Sequence, residues 1–249
     1  MEQPSVEPKN IPGLEDYHYS YSKSEIQCHT FSSDLSKLRQ KIAPYRFLLA
    51  ARAITRELPM KAGDKVLELG SGLGLLGKAV KDEVDGDLEY FGIELAFNSA
   101  ESSLSHGLIE SQASTVDLPY PKDTFDKVIS TDVLEHIPDA NHVISEIQRV
   151  LKPGGSAFLV IADPSEGRFR NVSDHIDRTG GKSDVEYWER LFEQNKLVLL
   201  RENSNKYRQQ DWRKIFNLPF LIRLKDKPGF ACAFNPVNRP GTYVVRKPE

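Results

Sequence analysis

Lys65-Val66-Leu67-Glu68-Leu69-Gly70-Ser71-Gly72-Leu73-Gly74-Leu75-Leu76-Gly77 is the stretch that decides the fold. A β-favouring run, Lys65 to Leu69, stops at glycines in alternate positions, Gly70, Gly72 and Gly74, and a helical pattern begins near Leu75. Strand, glycine turn and helix in that order open a nucleotide-binding α/β sheet. Glycine belongs there because the backbone must turn sharply and let a ligand lie against it with no Cβ in the way.

The ligand is less obvious than the turn. Gly72, Gly74 and Gly77 spell G-x-G-x-x-G, and Glu94 follows at the spacing of a ribose-binding acid, which is the dinucleotide reading. Glu68 speaks against it. A carboxylate at the strand end, two residues before the first glycine, would repel a pyrophosphate resting on the helix N-terminus. It suits a ligand without phosphate and with a cationic amino-acid end, such as S-adenosylmethionine (SAM).

E-L-G-S-G-L-G resembles motif I of class I SAM-dependent methyltransferases, in particular the small-molecule (type 11) group. Three later stretches resemble that family in the same order. Leu118-Pro119-Tyr120-Pro121-Lys122-Asp123-Thr124-Phe125-Asp126 is similar to its L-P-F-x-D-x-S-F-D segment. Val133-Leu134-Glu135-His136-Ile137-Pro138-Asp139 is similar to V-L-E-H-x-x-D, and Leu151-Lys152-Pro153-Gly154-Gly155 to L-K-P-G-G.

The resemblance implies roles for particular residues. Gly70, Ser71, Gly72 and Gly74 would lie along the methionine portion of SAM, with Glu68 attracting its cationic end. Glu94 would accept bonds from the two ribose hydroxyls, and Leu95 would cover an adenine face. Where the family commonly has an acid for the adenine amino group, this chain has Ser114 followed by Thr115. Ser130, at the end of the fourth strand, joins this cofactor-binding set.

Outward from the glycine turn, strands and helices alternate. Strands are expected at Lys65–Leu69, Leu88–Glu94, Leu108–Ala113, Lys127–Thr131, Ala157–Ala162 and Leu197–Leu200, with Thr242–Arg246 as a last, antiparallel strand. Helices are expected at Leu75–Val84, Asn98–Ser105, Asn141–Leu151 and Asp184–Gln194, the third stopped by Pro153-Gly154-Gly155. Upstream, Pro44 starts a helix striped by Tyr45, Leu48, Leu49 and Ile54. The expected fold is α/β: a doubly wound, Rossmann-like, mostly parallel seven-stranded sheet with helices on both faces. One domain is expected over 1–249, with an N-terminal helical lid segment (1–60), a SAM-binding core (61–165) and a substrate-side segment that completes the sheet (166–249).

Composition sets bounds on partners. The chain has 249 residues, 39% hydrophobic and 28% charged, enough for one sizeable core. A net charge of −3 shows no basic excess, so no nucleic-acid partner is expected. Cys28 and Cys232 lie far apart without metal spacing, and no metal is expected. The polar, proline-containing start does not read as a signal peptide and no run of apolar residues is long enough to span a membrane, so a cytoplasmic location is expected.

Methyl transfer from a sulfonium is an in-line displacement in which the cofactor brings the leaving group. A base is needed only when the nucleophile carries a proton of high pKa, so catalytic residues are harder to read than cofactor residues. The two candidates are His136, which either accepts a proton or orients its loop, and His175, in a segment where relatives place a substrate-facing loop. Tyr17, Tyr19 and Tyr21 read either as a packed extended segment or as an aromatic lid. Residues 203–241 form a long connection whose run from Trp212 to Leu224 either walls an acceptor pocket or lies on a membrane surface as a peripheral contact. The expected activity is methyl transfer from SAM to an O, N or C nucleophile of a small or medium-sized acceptor. The alternative is a catalytically silent SAM-binding partner or sensor module. Acceptor and oligomeric state are not encoded in the matching segments.

Overall fold

Lys65–Leu69 forms strand β1, and its alternation places neighbouring side chains on opposite faces of the sheet. Val66 joins one apolar core and Leu67 and Leu69 the other. The computed structural model describes residues 47–95, 103–162, 175–179, 184–200 and 241–249. Six further strands follow: β2 (Glu89–Glu94), β3 (Ile109–Gln112), β4 (Phe125–Thr131), β5 (Leu151–Val160), β6 (Val198–Leu199) and β7 (Thr242–Arg246). They make one seven-stranded sheet in the order β3-β2-β1-β4-β5-β7-β6. Only β7 runs against its neighbours; it lies between β5 and β6 and is antiparallel to both.

Helices cover both faces. Residues 47–57 are helical (α1), and Leu75–Glu83 is α2. Their buried side chains Ala50, Ala51, Ile54, Leu76 and Val80 pack with Val66, Tyr90, Ile129, Phe158 and Val244. The opposite face is covered by α3 (Ala140–Val150) and α4 (Val185–Gln194). Val143, Ile144, Ile147 and Val150 form the inward stripe of α3, and Trp188, Leu191 and Phe192 that of α4. Asp139 caps α3 by accepting the His142 N–H at 3.0 Å. The central strands are apolar on both sides, as a doubly covered parallel sheet requires.

Among the described residues the expected elements fall where the sequence places them, with one informative difference; the Pro44 helix start and residues 98–102 of the expected Asn98–Ser105 helix lie outside them. Pro153-Gly154-Gly155 does stop α3, but it also lies within β5, which starts at Leu151 and not at Ala157. The β4–β5 register passes from Phe125↔Leu151 to Lys127↔Ser156, so Lys152–Gly155 bulges out of the ladder. The bulge is held from its other side. Gly154 N–H donates to Lys247 C=O at 3.0 Å, and Lys247 N–H to Gly155 C=O at 2.9 Å. Lys152 Nζ reaches Asp126 Oδ2 at 2.8 Å, and the same carboxylate accepts Lys65 N–H at 2.9 Å. The Tyr17–Tyr21 segment and residues 203–224 lie outside the described residues.

Candidate active site

The carboxyl ends of β1, β2 and β4 meet at the glycine turn. Gly70 and Ser71 donate their N–H groups to Ile93 C=O at 2.8 and 3.1 Å, which pins the turn onto the end of β2. Gly70 has φ of 69°, and a Cβ there would run into Val133 on the loop after β4. Gly77 serves another purpose. A Cβ at that position would stand 2.7 Å from both Tyr90 and Leu108, so α2 packs this closely on the sheet only through glycine.

Glu94 ends β2, only 4% exposed, and its Oε2 accepts the Gly72 N–H at 3.0 Å. The carboxylate therefore stands at the lip of the turn. Leu95 follows, its C=O accepting Gln112 Nε2 at 3.1 Å. Ser114 Oγ accepts the Val116 N–H at 3.3 Å, a local turn that takes one of the hydroxyl's two acceptor sites, and Thr115 beside it is half-buried. Ser130, at the end of β4, is fully buried, and its Oγ has no hydrogen-bond partner among the described residues.

Glu68 lies under the turn. Strand alternation sends it to the α2 face, where Tyr90 O–H donates to its Oε2 at 3.0 Å. Burial pushes this carboxyl up to about 8, with the charges of Glu110 and Glu94 adding to the rise. At neutral pH it is largely protonated. Its contacts with Tyr90 and the Gly77 backbone are thus those of a hydrogen-bonded neutral acid rather than a bare negative charge. Glu110, absent from the sequence expectations, completes this layer. It accepts Ser71 Oγ and Ser103 Oγ, each at 2.6 Å, and burial raises its pKa against those two bonds.

A second cluster sits on the loop after β4. Leu134–His136 forms a single 3₁₀ turn. The His136 and His175 rings meet edge to face with centroids 4.7 Å apart, so the fold brings together the two histidines that sequence analysis singled out separately. Glu135 lies between them and the core, 2% exposed, its Oε1 accepting the Ala162 N–H at 3.2 Å. Burial pushes its pKa up to about 7. Ile176 N–H donates to Glu135 C=O at 3.0 Å and fastens the 175–179 segment to the turn. Arg178 fastens it again, donating to Ile137 C=O at 2.5 Å while its guanidinium lies 5.0 Å from the Trp188 ring centroid.

Glu110, Glu135 and Arg178 are the residues that sequence reasoning missed as parts of a site. Glu135 stands inside a quoted motif, but only the fold supplies the partner 40 residues away, by the difference between 135 and 175.

The chain matches a family model described as a methyltransferase domain over residues 42–218. It is 32% identical over 120 residues to 27-O-demethylrifamycin SV methyltransferase of Amycolatopsis mediterranei (strain S699), covering 43% of each chain. It is 33% identical over 147 residues to sterol 24-C-methyltransferase of Pneumocystis carinii (strain B80), covering 56% of this chain and 37% of that one. These matches thus span less than half the length of either curated relative. Among solved structures, the fold is similar to Haemonchus contortus phosphoethanolamine N-methyltransferase 2, solved with phosphomonomethylethanolamine and S-adenosylhomocysteine (SAH). The TM-score is 0.54 at 18% identity, covering 85% of this chain and 58% of that one.

Proposed function

This chain belongs to the methyltransferase domain family, and from that premise we propose that it transfers the methyl group of SAM to an O, N or C nucleophile of a small or medium-sized acceptor. The observation that carries the reading is Glu94, a buried carboxylate whose oxygen already engages the glycine turn through Gly72 N–H. That is the place for an acid that grips a ribose diol at the crevice outside the sheet's carboxyl edge.

In this reading Glu94 holds the ribose hydroxyls, and Gly70, Ser71, Gly72 and Gly74 give the amino-acid portion a surface without side-chain obstruction. Leu95 covers the base, Ser114 and Thr115 flank its amino edge, and the orphaned hydroxyl of Ser130 finds its partner in the ligand. Glu110 holds the turn through Ser71, and Glu68 is bonded to Tyr90 of β2. When bound, SAM supplies an electrophilic methyl on a cationic sulfur. The chain's own work is to align the acceptor, exclude water and accept a proton where the nucleophile carries one. In this reading His136 and His175, whose rings meet edge to face, would accept that proton. A silent SAM-binding module is the second reading, favoured by Ser114, whose hydroxyl is already engaged within its own turn.

Calorimetric titration tests the first step. SAM and SAH should both bind, NAD should not, and Glu94→Ala should weaken both by about 1–3 kcal/mol, the range for a lost charged hydrogen bond. No heat with SAM or SAH at millimolar concentration would remove the proposal. Loss of methyl from SAM over a metabolite panel separates turnover from silent binding.

A further inference from the structure

We propose that Glu135, His136 and His175 bind a divalent cation of the zinc class. A carboxylate oxygen of Glu135 and one ring nitrogen from each histidine all lie within 4.8 Å of one another. Ligands on a tetrahedral ion with bonds of about 2.0–2.1 Å stand about 3.3 Å apart, so the three groups draw together on binding one. Two imidazoles and one carboxylate suit zinc, cobalt(II) or iron(II), whereas magnesium and calcium prefer oxygen donors throughout.

Independent observations support the triad as a built site. Glu135 is 2% exposed, and while Oε1 is occupied by Ala162 N–H, Oε2 has no hydrogen-bond partner among the described residues. A buried carboxylate oxygen without a donor is costly unless something fills the need. The backbone is also held in place around the three ligands. Glu135 and His136 come from one 3₁₀ turn, and His175 is brought to it by the Ile176–Glu135 bond and the Arg178 clamp on Ile137 C=O. These contacts hold the backbone that carries the three ligands.

Three protein ligands leave a coordination position open, the arrangement of catalytic rather than structural zinc. A hydroxyl of the acceptor bound there loses its proton to water more readily and presents its oxygen for methylation. With the metal in place, the histidines act as ligands, and Lewis acidity replaces proton acceptance by imidazole. This points to a hydroxylated acceptor. The catalytic role rests on the methyltransferase reading; metal binding does not.

The test uses the full chain stripped with a chelator, then titrated with Zn²⁺ by calorimetry and with Co²⁺ by visible absorption. One ion per chain and a cobalt d–d band in the range of a nitrogen-and-oxygen site are expected. His175→Ala and His136→Ala should each weaken zinc binding by more than about 100-fold, beyond the 10–100-fold of an outer-shell change. Glu135→Gln keeps the acceptor for Ala162 N–H and should do likewise. Melting curves of each variant separate lost ligation from lost folding. No stoichiometric binding, or binding that none of the three folded variants weakens, would overturn the site. An SAH titration on the same preparation reports on the cofactor reading separately, so either can fail alone.

Discussion

Glu68 is the residue at which stability should depend most visibly on pH. Its carboxyl titrates near 4.5 when unfolded and near 8 in the buried position beside Tyr90. Between those values the folded state holds the extra proton, so stability falls as pH rises through that window and the loss is complete above it. Glu68→Gln mimics the protonated form and retains an acceptor for Tyr90 O–H. Relative to the parent, the variant should gain on the order of 4 kcal/mol between pH 5 and pH 9, read by urea denaturation at both. Equal pH slopes for the two proteins would show that the carboxyl is not held protonated. The acid's position at the strand end was legible from the sequence, but its neutral, supporting state was not. That state depends on the parity that turns residue 68 toward Tyr90, and on the β2–β3 register that pairs Gly92 with Glu110 and sets the second acid nearby. Glu110 itself sits in a short polar strand, Ile109–Gln112, that carries no sequence pattern beyond a weak β tendency.

Among the elements, α3 does more than cover the sheet. From its last turn Arg149 donates to Glu146 Oε1 at 2.6 Å, to Tyr120 C=O at 2.6 Å and to Leu118 C=O at 3.0 Å. Glu146 Oε2 in turn accepts the Leu118 N–H at 2.9 Å. The pair therefore fixes the Leu118–Tyr120 turn, which leads from the Ser114 and Thr115 positions into β4. Arg149→Ala should destabilise the protein by about 1–2 kcal/mol, because two carbonyls lose a partly buried charged donor. Hydrogen exchange should accelerate at Leu118 N–H before the amides of the sheet. An unchanged denaturation midpoint would mean that the turn is held by other contacts. The sequence made this helix plain through its apolar spacing, and the same spacing marked α4. It did not reveal that β5 begins before the Pro-Gly-Gly run, since those residues ordinarily end an element. The bulge persists because Lys247, 94 positions beyond Pro153 in numbering, supplies the missing partners.

At the scale of the whole molecule, the βα alternation fixed the parallel half of the sheet in advance, and Thr242–Arg246 was legible as its antiparallel completion. The histidine cluster was not legible at this scale, because the segment carrying His175 reaches Glu135 and His136 only through tertiary hydrogen bonds. Placing β7 between β5 and β6 has a consequence for biosynthesis. A growing chain emerging from the ribosome has made β5 and β6 well before Thr242, yet β6 can take its place only when β7 is present. Until then the flank of β5, with Ala157, Phe158, Leu159, Val160 and Ile161 all destined for the core, is an open apolar edge. Nascent chains stalled with residue 240 outside the exit tunnel should remain protease-sensitive and recruit holdases, whereas chains with residue 249 outside should become resistant. Equal resistance of the two would mean that the parallel strands fold as a unit first. If the difference is found, this sheet closes only after β7 has been made, and quality control acts on the chain at that step.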